Sequence, residues 1–168
     1  MKDYCQTNFL QPTGFKVIVS KEKLPYLSFM SQSVTHPSME INATEIGYKR
    51  MGSVPFIGDA IEFGAVTIDV LLDENMNVYG EIYNWMERMV ETKHKLNSGV
   101  LYGNGDQTLS DYCDIRIQVL TNSNNANREF QYVNAFPITL GDVSFASTNE
   151  DTFITCPMTF RFDYFEFL

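Results

Sequence analysis

The residues Val66 to Leu72 place Val66, Ile68, Val70 and Leu72 on one face and Thr67 and Asp69 on the other, the period-two alternation of a half-buried strand. Leu71 is the one apolar residue out of step. Asp73, Glu74 and Asn75 follow at once, polar residues of the kind that bond to local backbone and favour turns and helix caps over continued strand. Val78, Ile82, Trp85, Met89 and Val90 then recur at helical spacing, with Glu81, Glu87, Arg88 and Glu91 elsewhere around the axis. Residues 77–94 are therefore expected to form a helix that lays one apolar stripe on a sheet. A half-buried strand, a stop and a one-faced helix point to a layered packing domain rather than to a reaction.

The same alternation recurs along the chain. An extended arm over residues 1–13 leads through a turn at Pro12 to Gly14 into a strand carrying Phe15, Val17 and Val19. After a turn at 21–25, a second strand is expected from about Tyr26 to Val34, ended by the segment around Pro37, which cannot donate to a ladder. Residues 39–64 alternate weakly and read as an extended hairpin or long loop, a kind of segment that generally has a job. Residues 95–112 have the Gly, Asn, Ser and Asp content of a linker. Ile115, Ile117 and Val119 alternate with Asp114, Arg116 and Gln118, and Phe130 and Tyr132 lie on the returning strand of a hairpin that Pro137 closes. A short strand is expected around Asp142 to Ala146. The last strand sets Ile154, Cys156, Met158, Phe160, Phe162 and Tyr164 opposite Thr155, Thr159, Arg161 and Asp163, and Pro157 argues against a fully paired central position near its start. With 13 Phe and 9 Tyr in 168 residues, aromatics that suit pleated surfaces, the expected fold is mainly β. It is a single domain over 1–168, an antiparallel β-sandwich or half-barrel with one flanking α-helix.

Catalytic, metal and cofactor chemistry find little purchase. His36 and His94 are the two histidines, and neither has a second ligand type at metal spacing. Asp73, Asn75 and Asn77 resemble the start of a calcium loop, but its sixth position is Val78 and its twelfth is Asn84, where glycine and glutamate are required. Gly103 to Asp106 lacks the spacing of a phosphate-binding loop, and no nucleophile context is recognisable. No catalytic residue, metal or cofactor is expected. Cys5, Cys113 and Cys156 are an odd count without paired spacing and read as free thiols. No apolar run is long enough to span a membrane, and the start has no signal-peptide core, so membrane anchoring is not expected and the chain should be made in a cytosol.

The run of motifs resembles the tube protein of contractile bacteriophage tails. In that family a Gly-Asp turn, an aromatic-led strand, an Asp-Glu pair and a tryptophan-bearing helix follow in order, and here these are Gly58-Asp59, Phe63, Asp73-Glu74 and Trp85. Met158 to Leu168 is similar to the family's closing strand. The resemblance implies hexameric rings whose inner strands join into one continuous β-barrel, stacked into a hollow conduit for genome delivery inside a contractile sheath. The subunit would be a structural virion protein in the tail tube, assembled in the host cytoplasm. Its partners would be copies of itself, the tail sheath protein, baseplate and tail terminator proteins, and a tape measure protein in the lumen, with DNA passing through unbound. The 39–64 hairpin would reach the adjoining ring, making Glu45, Tyr48, Lys49, Arg50, Phe56 and Asp59 the candidates for ring stacking. Glu81, Glu87, Arg88 and Glu91 would face the sheath.

Charge fits that picture in an uneven way. Residues 1–56 carry six Lys and Arg against four Asp and Glu, and residues 57–168 carry six against seventeen. Opposite ends would attract on stacking, an acidic inner wall would repel passing DNA, and plain solubility is the bland alternative. The rival readings keep the architecture as a baseplate tube initiator or a type VI secretion tube-like ring protein, or change it to a small β-sandwich enzyme or ligand carrier.

Overall fold

The alternating segment at Val66 forms a strand with strands paired on both sides. The computed structural model describes residues 8–19, 24–48, 52–89, 112–146 and 153–168. In chain order these form β1 (Phe15–Val19), α1 (Leu27–Met30), β2 (Ser31–Thr35), β3 (Met39–Ile41), β4 (Thr44–Tyr48), β5 (Gly52–Phe56), β6 (Ile61–Phe63) and β7 (Val66–Leu71). They continue with α2 (Asn77–Met89), β8 (Cys113–Leu120), β9 (Ala126–Leu140), β10 (Thr155–Arg161) and β11 (Tyr164–Phe167).

One antiparallel path runs β1-β8-β9-β10-β7-β2, and β11 adds to β9. Its fold into two faces comes from β9, which is 15 residues long. The first part of β9 pairs with β8 and β11, and the last part, Phe136 to Leu140, pairs with β10. Asn134 marks the change. It sits at φ 55°, a left-handed conformation that Asn tolerates better than most residues. Its backbone N–H donates to Asp114 Oδ1 (3.2 Å), and its amide donates to Asp163 Oδ2 (2.7 Å). Tyr132 points inward before it, Ala135 and Pro137 point inward after it, and the register against β8 shifts nearby. An extra residue of this kind bends a strand and re-aims its side chains. The outcome is the expected antiparallel half-barrel, with β1, β8, β9 and β11 in a first sheet and β2, β7, β10 and the end of β9 in a second.

Between the sheets lies the core. Val17, Val19, Ile115, Ile117 and Tyr132 come from the first sheet, and Val66, Ile68, Val70, Cys156, Met158 and Phe160 from the second. Val78, Ile82 and Trp85 of α2 close it, with the Trp85 and Phe160 rings 6.2 Å apart. The stop before α2 works through Asp73, whose carboxylate accepts from the Asn77 backbone N–H (2.8 Å) and side-chain amide (2.5 Å). Such a bond takes up one of the amides a helix start leaves unpaired.

Five local expectations differ from what is observed. Tyr26 to Met30 is a helical turn rather than strand: Leu27 is fully buried, and the Ser28 hydroxyl bonds the Val17 carbonyl (2.7 Å). Pro137 does not end its strand; it lies within β9, paired with Phe160. Pro157 likewise lies in β10 between β7 and β9, so β10 is central in spite of it. The final strand breaks at Phe162 and Asp163, which moves the chain from the second sheet to the first and leaves Tyr164 exposed. Residues 142–146 are not strand. Residues 1–7, 90–94 and all of the 95–112 linker but Tyr112 lie outside the described residues.

Candidate assembly surfaces

Between β2 and β7 the chain leaves the half-barrel as a two-stranded arm. Met39 to Ile41 pairs with Ile61 to Phe63, and Thr44 to Tyr48 pairs with Gly52 to Phe56. Two turns of chain join these ladders, Asn42-Ala43 on one strand and Ile57 to Ala60 on the other. Gly58 passes so close to the first that a Cβ added there would lie 1.6 Å from the Asn42 carbonyl oxygen. The Gly-Asp turn is therefore a steric requirement of the crossing. Gly58→Ala is expected to force the strands apart and raise amide hydrogen exchange across 39–63, while protection in β7 and β10 stays as it was.

The arm is apolar where it meets solvent. Met39, Ile41, Ile46, Phe56, Ile57 and Ile61 are between 49% and 91% exposed, Ile57 the most. Glu40 and Glu62 face each other across the ladder, with Asn42 donating to Glu62 (2.8 Å). Like charges directly opposite weaken a strand pair, and an isolated hairpin is marginal in water. A ribbon so built has its apolar side chains free for another surface.

Its root is held by aromatic rings. Phe63 packs on Phe162 (5.9 Å) and Phe165 (5.3 Å), and His36, on the other strand's approach, packs on Phe130 (4.5 Å) and Phe165 (5.0 Å). His36 Nδ1 lies 2.6 Å from the Tyr132 hydroxyl. Burial pushes the Tyr132 pKa up and the His36 pKa below its ordinary value, so a neutral imidazole accepting from a protonated phenol suits the site. A lowered folded-state pKa contributes stability that is present above the unfolded value and lost as pH falls through the lowered one. His36→Gln, which keeps an acceptor without the charge, is expected to flatten the fall in melting temperature between about pH 7 and about pH 5.

A second surface is formed by α1 and α2. Tyr26, Phe29 and Tyr83 are exposed there, Phe29 by 81%. Glu81, expected on the outer side of α2, is half-buried, and its carboxylate meets the backbone N–H groups of Tyr26 and Leu27. Desolvation raises its pKa, against the opposing effect of those bonds, and Oε2 is buried without a partner among the described residues. The spacing carried this signal, since position 81 is three residues after Val78 and four before Trp85, on the flank of the buried stripe.

The arm brings together Glu45, Phe56 and Asp59, all exposed, and Tyr48, whose backbone pairs with Gly52. Lys49 and Arg50 lie outside the described residues, as does Glu91. On α2, Arg88 is exposed and Glu87 half-exposed. The aliphatic side chains of the arm were not singled out from the sequence, although their density in 39–64 was there to be read. Among the described residues no three His, Cys, Asp or Glu side chains gather to hold a metal, and no helix is long and apolar enough to cross a membrane.

Solved structures share this architecture. A chain in the sheath-tube complex of an extracellular contractile injection system, PVC, in its extended state aligns with a TM-score of 0.66 at 16% identity, covering 97% of this chain and 93% of that one. A chain in the PVC sheath/tube terminator gives 0.65 at 19% identity, over 97% and 99%. One in the tube-terminating cap of the anti-feeding prophage gives 0.64 at 16% identity, over 100% and 99%. No curated protein sequence matches. The family model described as phage tail tube protein matches residues 6–168, which takes in the half-barrel, the arm and both helices, and the chain therefore belongs to the phage tail tube protein family, as a structural subunit of a tail tube.

Proposed function

We propose that this chain is the repeating subunit of the inner tube of a contractile tail, closing into six-membered rings that stack through the arm. The observation that carries this reading is the arm itself: a two-stranded ribbon with six exposed aliphatic and aromatic residues, which a second copy would cover. Phe56, Ile57 and the neighbouring Asp59 and Glu45 then contact the next ring, together with Tyr48, Lys49 and Arg50. Head-to-tail contacts between identical subunits that do not close on themselves generate a filament of this kind.

The α1–α2 surface, with Tyr83, Glu87 and Arg88, faces outward to the sheath, and Glu91, outside the described residues, is a further candidate for that contact. Glu81 supports α1 from within. Tube and sheath/tube terminator assemblies among the structural neighbours support sheath and terminator partners; baseplate and tape measure proteins complete the set. The work is mechanical, without a catalytic step, and the subunit is assembled in the host cytoplasm before it becomes part of the virion. Electron microscopy of purified protein over a concentration series, at low and high salt, tests the reading. Hollow six-fold rings or tubes are the expected result, with high salt weakening any stacking that rests on exposed charge. Monomers at every concentration, even when tube ends are supplied as seeds, would count against it.

A further inference from the structure

Across the second sheet the registers line up four threonines in one transverse row. Thr35 pairs with Thr67, Thr67 with Thr159, and Thr159 with Thr139. The row crosses β2, β7, β10 and β9 from one side of the sheet to the other. Beside it the Ser33 hydroxyl bonds Asp69. Among the residues of β2, β7, β10 and the end of β9, the charged side chains are Asp69 and Arg161, so these strand residues sum to zero charge. The outer face of the first sheet is different in kind, with Arg116 paired to Glu129 (3.5 Å) and Gln131 to Asp114 (3.3 Å).

Direction follows from alternation along β10. Thr159 and Phe160 are consecutive and point to opposite faces, and Phe160 packs on Trp85. Helix α2 thus lies behind the second sheet, opposite the threonine row. A subunit that turns α2 outward presents the threonines inward.

We infer that the threonine-bearing face of the second sheet is the wall of the tube's channel, a neutral hydroxyl surface suited to a hydrated polyanion in transit. This rests on the ring-and-tube reading above. It replaces the acidic inner wall expected from bulk charge. Retention of a phosphate polymer depends on cations along the wall, and here the one guanidinium is offset by one carboxylate, while the hydroxyls hold water.

Cysteine accessibility tests the inference. In a Cys5→Ser background, with Cys113 and Cys156 buried, Thr159→Cys tubes are treated with a small maleimide or with one carried on a globular protein too wide for the channel. Thr159→Cys should take the small reagent in tubes and lose labelling by the bulky one, and should accept both once the tubes are dissociated. Arg88→Cys should accept both throughout. Thr139→Cys and Thr35→Cys give the same reading should Thr159→Cys fail to fold. Bulky labelling of any threonine-row cysteine along intact tubes would overturn the assignment. Thr159→Lys tubes should retain a single-stranded DNA oligonucleotide in a salt-dependent way that unaltered tubes do not; equal retention by both would overturn the neutral-wall part. Failure of the unaltered chain to form rings or tubes would overturn the tube reading itself, a separate outcome.

Discussion

Replacing Phe56 and Ile57 together by Asp is expected to abolish tube formation and leave a folded monomer. Both side chains are exposed, by 53% and 91%, so the isolated subunit loses little packing, and such surface changes usually move stability by about 0.5 kcal/mol or less. On the proposed stacking the same positions would be covered, and two carboxylates without partners would be buried. The effective cost of burying an unpaired ion is several kcal/mol, and about 3 kcal/mol per subunit contact would raise the critical concentration for assembly by about a hundredfold. Circular dichroism checks the monomer and sedimentation checks the tubes. Normal tubes from the double variant would remove the arm from the stacking contact.

Phe160→Ala is the change expected to cost the monomer most. Phe160 is fully buried, pairs with Pro137 across the second sheet and meets Trp85 of α2, so it joins strand, bulged strand and helix at one point. Large-to-small changes at such sites cost about 3–5 kcal/mol, against a total stability of about 5–15 kcal/mol for a domain. Chemical denaturation should show a lower midpoint with an unchanged slope. A loss below about 1 kcal/mol would mean that α2 is not held through this contact.

The sheet core was legible in the sequence because burial on one face leaves a period-two record. Val66, Ile68 and Val70, and Ile115 and Ile117, stand where the alternation puts them, and α2 begins at Asn77 as its apolar spacing requires. What alternation cannot record is a change of face within one strand. Asn134 re-aims β9 through a backbone angle and two carboxylate bonds, and Pro137, which read as a strand end, and Pro157, which read as an argument against a central position, both lie inside paired strands. Tyr26 to Met30 was misread because four of its five residues are apolar, and a short apolar run suits a buried strand as well as a helical turn.

The hairpin over 39–64 was legible in outline, and the side chains it exposes were not. The weak alternation of 39–64 marked the arm, and the steric reason for its Gly-Asp turn appears once Gly58 is seen against the Asn42 carbonyl. The charged residues nominated for stacking sit beside aliphatic ones whose exposure only the fold reveals. Glu81 shows the opposite error: a charged residue assumed to face solvent instead stands at the α1 amides.

If the arm of one ring contacts the next, a helical reconstruction of assembled tubes will show it at the ring boundary. Residues 39–63 should lie against the neighbouring ring, with Phe56 and Ile57 covered. Tubes in which the arm projects into solvent, or touches only subunits of its own ring, would contradict it.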